Sequence, residues 1–121
     1  MIYNWKEQFK IRCKESSLSQ AKHLVVKSLI VLMLKDKYKN KVIVETERAI
    51  GKGIICDVYQ ELPNEKNKIC YEIQKVDSKQ WYEETNKKYD RFSNVDLIII
   101  PLKDLPDNLN ELIEKLKDFV I

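Results

Sequence analysis

The chain has 121 residues, 44% of them hydrophobic and 34% charged, with a formal net charge of +3. That is the length of one domain with apolar material for one core, so a single domain over residues 1–121 is expected. The longest apolar run, residues 29–34, falls far short of the ~20 residues of a membrane helix. Residues 1–10 are charged throughout and lack the apolar stretch of a signal peptide. A cytoplasmic protein with no membrane partner is expected. A pI near 8.7 permits nucleic-acid binding without demanding it, since strong basic footprints begin above pI ~9. With Gly51 and Gly53 as its only glycines, the chain cannot build a glycine-rich phosphate loop, which excludes P-loop and Rossmann readings; no organic cofactor is expected. Cys13, Cys56 and Cys70 have no CxxC-type spacing, which argues against a zinc site and a disulfide framework. Cys56 and Cys70 read as buried small hydrophobes in a reducing compartment.

Residues 1–16 read as a short helix or an arm, with Trp5 and Phe9 as a docking pair. Residues 18–37 read as a helix capped by Ser17 or Ser19, with Leu24, Leu29, Ile30, Met33 and Leu34 on its apolar face. Three strands follow at 41–47 (KVIVETE), 53–60 (GIICDVYQ) and 68–75 (KICYEIQK), separated by RAIGKG and LPNEKN turns, as an antiparallel meander. Residues 78–92 read as a helix capped by Ser78. Residues 95–102 (VDLIIIPL) are almost uninterruptedly apolar, the pattern of a strand buried on both faces in the middle of a sheet. The helical crossover before it predicts that it runs parallel to the third strand and beside it. Residues 104–120 read as an amphipathic helix whose Leu109, Leu112, Ile113, Leu116 and Val120 either cover the sheet or form a dimer seam. The expected fold is α/β (α+β), a mixed four-stranded sheet flanked by helices.

Polar residues inside strands carry the chemistry. Asp57 interrupts IICDVY and Glu72 interrupts ICYEIQ, although carboxylates are depleted in strands and costly to bury unpaired. Gln74 projects from the same strand face as Glu72. A short connection can bring Asp57 beside Glu72, and two close carboxylates repel unless a cation lies between them. An all-oxygen pair is a Mg²⁺ or Mn²⁺ site by ligand chemistry. The competing reading leaves both residues apart on solvated faces. Glu45 and Glu47 alternate onto one face of the first strand, where Glu47 could complete the site or remain solvated. His23 and Lys27, one helical turn apart, could contact a phosphate. Lys79, Lys87, Lys88 and Arg91 interleave with Trp81, Tyr82, Tyr89 and Phe92, which reads either as a nucleic-acid surface or as an amphipathic helix with its aromatics in the core.

GIICDVYQ, a turn and CYEIQK within an αβββαβ frame resemble the PD-(D/E)XK nuclease superfamily, with Asp57 in the first acidic position and Glu72 in the second. The run EIQKVDSKQWYEETNKKYDRFSNVDLIII looks most like the CoiA-like branch, as does the helix carrying His23 and Lys27. Gln74 stands where the common motif has Lys, and Ile54 stands where an arginine often precedes the Asp. The resemblance implies a restriction-endonuclease-like core and a metal-dependent DNA endonuclease. Asp57, Glu72 and the Ile73 carbonyl would hold Mg²⁺ or Mn²⁺, and Gln74 and Glu47 would assist catalysis. Lys27, Lys52, Lys75 and Arg91 would contact DNA, with Lys27 and Lys52 also able to supply the charge the motif lysine would carry. Small Holliday junction resolvases of this kind act as homodimers, which makes a homodimer and branched DNA the expected partners. The alternative is the same fold without turnover, as a DNA-binding or complex-assembly subunit. On this reading an edge position for residues 95–102 would contradict the nuclease-like topology, and Gln74→Lys would preserve or raise activity.

Overall fold

The computed structural model describes residues 18–75 and 78–120. The N-terminal arm, Trp5, Phe9, Cys13 and Ser17 lie outside the described residues. The elements are α1 (Leu18–Tyr38), β1 (Ile43–Gly51), β2 (Ile54–Glu61), β3 (Lys68–Gln74), α2 (Lys79–Tyr89), β4 (Val95–Pro101) and α3 (Leu109–Leu116). The class is α+β: a four-stranded mixed sheet of order β1-β2-β3-β4, flanked by helices. The β1–β2 and β2–β3 pairs are antiparallel and the β3–β4 pair is parallel. Among the described residues no helix is long and apolar enough to cross a membrane.

Side chains on the two sheet faces build two clusters. Ala21, Val25, Val26, Ile30 and Leu34 of α1 and Leu112 and Leu116 of α3 pack on Val58, Tyr71, Ile73 and Ile100. On the opposite face Tyr89 and Phe92 pack on Ile54, Cys56, Tyr59 and Cys70. Cys56 and Cys70 are free and buried, as expected. Of the apolar stripe expected on the final helix, Leu112 and Leu116 lie in the core and Leu109 and Val120 pack against it.

Of the apolar face expected on α1, Ile30 and Leu34 are buried and Leu29 and Met33 pack against the same cluster, while Leu24 is turned outward. Leu24 is 37% exposed and Leu32 64% exposed, while Lys22 and His23 are buried. The run LIVLML is apolar all round, so apolar spacing alone cannot orient the helix. Polar anchors do so: the Lys22 ammonium bonds Asp107 at 2.8 Å and also the Leu105 carbonyl, tying α1 to the segment before α3. Ser19 falls inside α1 and is not its cap.

Other boundaries moved for local reasons. Residues 48–50, expected in the first turn, belong to β1, because Gly51, Lys52 and Gly53 all take positive φ and turn the chain tightly. Ser78 caps α2, its hydroxyl accepting the Trp81 N–H at 3.0 Å. The last helix begins at Leu109, not residue 104. A 3-10 turn at Leu102–Asp104 and Pro106 precede it, and Asn108 caps it through the Asn110 and Glu111 N–H groups.

β4 lies beside β3 and parallel to it, as expected, but at the sheet edge and not in its middle. Those two expectations exclude one another, since β2 already occupies the other side of β3. The strand is apolar because helices cover both its faces: Val95 and Leu97 join the α2 cluster, Ile98 and Ile100 the α1–α3 cluster.

Candidate functional site

β2 and β3 pair only as far as Val58 and Tyr71. The same register would next place Asp57 opposite Glu72. Instead the Ile73 N–H donates to Asp57 Oδ2 at 2.8 Å. A side-chain carboxylate thus replaces a backbone carbonyl as the ladder partner, and the strands part at this point. The β1–β2 ladder is interrupted at the same level. Thr46 pairs with Val58 and Arg48 with Cys56, while the residue between, Glu47, takes φ 53°. Left-handed backbone is uncommon for glutamate and costs energy. Side-chain alternation slips here: Ile54 and Cys56 face the α2 cluster, but Val58 faces α1.

From the α1 side, His23 Nε2 lies 3.6 Å from Asp57 Oδ2, and the Lys27 ammonium bonds the Glu47 carboxylate. Two donors one helical turn apart therefore meet two carboxylates that stand opposite each other on β1 and β2. Glu45 and Glu47 do not share a face. Glu45 pairs with Arg48 at 3.1 Å, whose guanidinium lies 4.2 Å from the ring of Tyr59 in the α2 cluster. The positive φ of Glu47 turns its side chain the other way, to α1.

From the α2 side, the Tyr89 hydroxyl donates to Glu72 Oε1. The carboxyls of Asp57 and Glu72 interact with each other, and their environments drive their acidities apart. Burial pushes Glu72 up to about 8, with the Asp57 charge adding to the rise against the opposing pull of the Tyr89 hydroxyl and of Lys88. Burial acts on Asp57 too, but His23 and the Ile73 N–H outweigh it and hold that carboxyl below its ordinary value. The two environments thus favour the ionised form of Asp57 and the protonated form of Glu72.

Glu72 opens into a cavity of about 370 Å³ between β2 and α2, also lined by Lys52, Ile55, Trp81, Lys88 and Arg91. Gln74 is 2% exposed, and its Nε2 has no hydrogen-bond partner. Lys75 is exposed just beyond β3. Asp57, Glu72 and Ile73 are thus together, with Gln74 two residues along the Glu72 face. Glu47 and Lys27 are engaged with each other at the margin. Lys52 and Arg91 line the cavity. The alternative of Asp57 and Glu72 apart on solvated faces does not hold.

Among the described residues no group of three or more His, Cys, Asp or Glu side chains could hold a metal. Two carboxylates nevertheless fit Mg²⁺ or Mn²⁺, which keep several waters and bind through one or two carboxylates plus substrate phosphate. The Ile73 N–H is committed to Asp57, and its carbonyl is the third oxygen the sequence reading assigned. Sequence reasoning missed the Tyr89–Glu72 and His23–Asp57 contacts and the place of Lys88 beside Glu72. The i, i+4 spacing of His23 and Lys27 was the available signal for the α1 pair; nothing local marks Lys88 among the lysines of α2.

No family model, no curated protein and no solved structure matches this chain.

Proposed function

We propose that the protein is a metal-dependent DNA endonuclease of the PD-(D/E)XK type. The observation that carries this reading is the Asp57–Glu72 pair, brought together where β2 and β3 part and opening into a cavity rimmed by Lys52, Lys88 and Arg91. The element order αβββαβ supports it. The edge position of β4 fails the topological condition that the sequence reading set, so the proposal rests on the Asp57–Glu72 pair.

In hydrolysis a water oxygen bonds to phosphorus, the bond to one bridging oxygen breaks, and that oxygen leaves with a proton. Asp57, Glu72 and the Ile73 carbonyl would hold Mg²⁺ or Mn²⁺, which would supply phosphoryl polarisation and a lowered water pKa. The chain's own groups position the site. Tyr89 fixes one oxygen of Glu72, while the Ile73 N–H and His23 fix Asp57. Gln74, with an uncommitted amide donor, orients water or a phosphate oxygen. Lys88, whose charge favours ionised Glu72, supplies the positive charge that Gln74 cannot.

The absence of a lysine at position 74 favours a second reading, a DNA-binding subunit without turnover. Incubation with supercoiled, linear, single-stranded and four-way-junction DNA, in Mn²⁺ or EDTA, separates the two. The nuclease reading expects Mn²⁺-dependent cleavage that is lost in Asp57→Asn; wild-type cleavage by that variant, with contaminating nuclease excluded, removes it. A homodimer remains part of the proposal on the grounds of small size alone, because α3 gives it no support. Sedimentation at high concentration giving the monomer mass of 14.4 kDa would remove it.

A further inference from the structure

The cavity beside Glu72 gathers more positive charge than its carboxylate balances. Lys52 lines it from the β1–β2 turn, Lys88 from the last turn of α2 and Arg91 from the segment just after that helix. All three are exposed, and among the described residues none sits in a salt bridge. Lys52 lies 5.7 Å from the ring of Phe92, a cation–π contact that holds it at this end of the sheet. The other lysines of α2 do not line the cavity: Lys79 and Lys87 border a separate depression, and Lys79 lies 4.0 Å from Glu83. Glu72 is the sole carboxylate among the described lining residues, so a surplus of two positive charges remains even with Glu72 ionised. Thr85 lines the cavity too and is 5% exposed, and its hydroxyl has no hydrogen-bond partner among the described residues. A buried hydroxyl without a partner is costly, and an entering anion would satisfy it.

Resting on the nuclease reading, we propose that this cavity binds the terminal phosphate of a DNA strand. A phosphate monoester carries about −1.5 to −2 charges at pH 7, whereas each phosphodiester of the backbone carries one. The surplus of two matches the monoester and leaves a cation unmatched by a diester. Arg91 offers a planar fork to two phosphate oxygens, Lys52 and Lys88 offer point charges, and Thr85 offers its hydroxyl. The volume of about 370 Å³ is near the low end of the ~300–1,000 Å³ of small-ligand sites, enough for a phosphate and its sugar. Glu72 belongs both to this cavity and to the carboxylate pair, so a strand end held here brings its neighbouring phosphodiester to Asp57 and Glu72. The substrate class is therefore DNA with a phosphorylated strand end, at a nick, a gap or a terminus, in preference to closed duplex.

The test is fluorescence anisotropy with an internally labelled oligonucleotide that carries a 5′-phosphate, a 3′-phosphate or neither. It is run at one ionic strength, since salt alone shifts such affinities, and in EDTA, where cleavage does not interfere. At least one phosphorylated form is expected to bind wild-type protein about tenfold or more tightly than the hydroxyl-ended form, the factor of one hydrogen bond to a charged group. The form that does so identifies the end that is held. Arg91→Gln and Lys52→Gln should each erase most of that preference, and Arg91→Lys, which keeps the charge, should restore part of it. Thr85→Val, similar in shape, should reduce it. Lys87→Gln removes a positive charge from the last turn of α2 outside the cavity, so it should weaken all three forms alike and keep the preference. The lysine and arginine positions are exposed, so these variants should keep the fold, checked by circular dichroism. Equal affinity for the three forms, or a preference untouched by both Arg91→Gln and Lys52→Gln, overturns the proposal. A preference that needs those residues, without cleavage in Mn²⁺, would leave the phosphate site standing and remove the nuclease reading. Mn²⁺-dependent cleavage with no preference for phosphorylated ends in binding or rate would do the reverse.

Discussion

Asp57 accepts the backbone N–H of Ile73 at 2.8 Å, in the position where a β2 carbonyl would otherwise continue the ladder. One carboxylate oxygen thereby serves the fold, and the parting of the strands that follows is what exposes the Asp57–Glu72 pair. The structural and the proposed chemical roles of Asp57 are therefore separable by substitution. Asp57→Ala removes the acceptor and leaves a buried N–H unpaired, a loss of about 1–3 kcal/mol. Asp57→Asn keeps an amide oxygen for Ile73 but gives up the negative charge that His23 and the Ile73 N–H favour, so its stability in EDTA should fall between those of the wild type and Asp57→Ala. Both variants should lose Mn²⁺-dependent cleavage. Urea unfolding of the two side by side measures the first difference; Asn as destabilising as Ala would show that the Ile73 bond is not what Asp57 contributes.

Stability should depend on pH in the direction set by Glu72. Its folded value is raised from 4.5 to about 8, so folding favours the protonated form. That contribution is fully present below pH 4.5 and is lost as pH rises towards 8. Asp57 acts oppositely: its lowered folded value contributes stability above its ordinary 3.8 that is lost in acid, as pH falls through the folded value. Metal-free protein should therefore lose melting temperature between about pH 5 and 8. Glu72→Gln, which cannot ionise, should flatten that slope. Mn²⁺ displaces the Glu72 proton, so its binding should tighten over the same range and its stabilisation should vanish on adding EDTA. A melting temperature in EDTA that stays level or rises from pH 5 to 8 would contradict the assignment.

The arrangement was legible in outline from the sequence, and the reasons it stopped there are local. Asp57 and Glu72 were visible because a carboxylate inside IICDVY or ICYEIQ breaks an otherwise apolar strand. The parallel placement of β4 followed from the crossover helix. The apolar face of α1 was legible at Leu29, Ile30, Met33 and Leu34 but not at Leu24, since the first half of the helix is oriented by Lys22 with Asp107 and Lys27 with Glu47, partners far away in sequence. The opposed directions of Glu45 and Glu47 were equally hidden, because period-2 alternation assumes extended backbone and Glu47 adopts φ 53°. The long final helix was over-read by carrying its apolar stripe back through Leu102–Asp104 and Pro106, which form the turn that sets the helix start.

Tyr89→Phe isolates the hydroxyl on Glu72. That bond favours ionised Glu72 against burial and the Asp57 charge, so its loss should push the Glu72 carboxyl further up. The pH midpoint of Mn²⁺ binding, and with it the rising limb of any cleavage profile, should move to higher pH. The ring stays in the α2 cluster, so the stability loss should be about 1 kcal/mol, that of one hydrogen bond. Isothermal titration with Mn²⁺ at several pH values reads the shift directly; an unchanged midpoint would mean that Tyr89 only packs.

Gln74→Lys tests whether the site can use the commoner motif residue. Position 74 is 2% exposed, with no partner on its Nε2, and an ammonium introduced there is desolvated unless it meets a carboxylate. Glu72, on the same face of β3, is that carboxylate. The variant should therefore be destabilised at pH 5, where Glu72 holds its proton, and recover at pH 8, where the two charges can pair. The added positive charge favours ionised Glu72, so the cleavage profile should shift to lower pH with activity preserved or raised. Gln74→Met, similar in length and apolar, should keep the fold and remove the orienting amide, lowering cleavage by about tenfold or more. Parallel melting curves and Mn²⁺ cleavage rates at the two pH values check both variants. A lysine variant that loses activity at both pH values while remaining folded would show that position 74 does not face the Asp57–Glu72 pair.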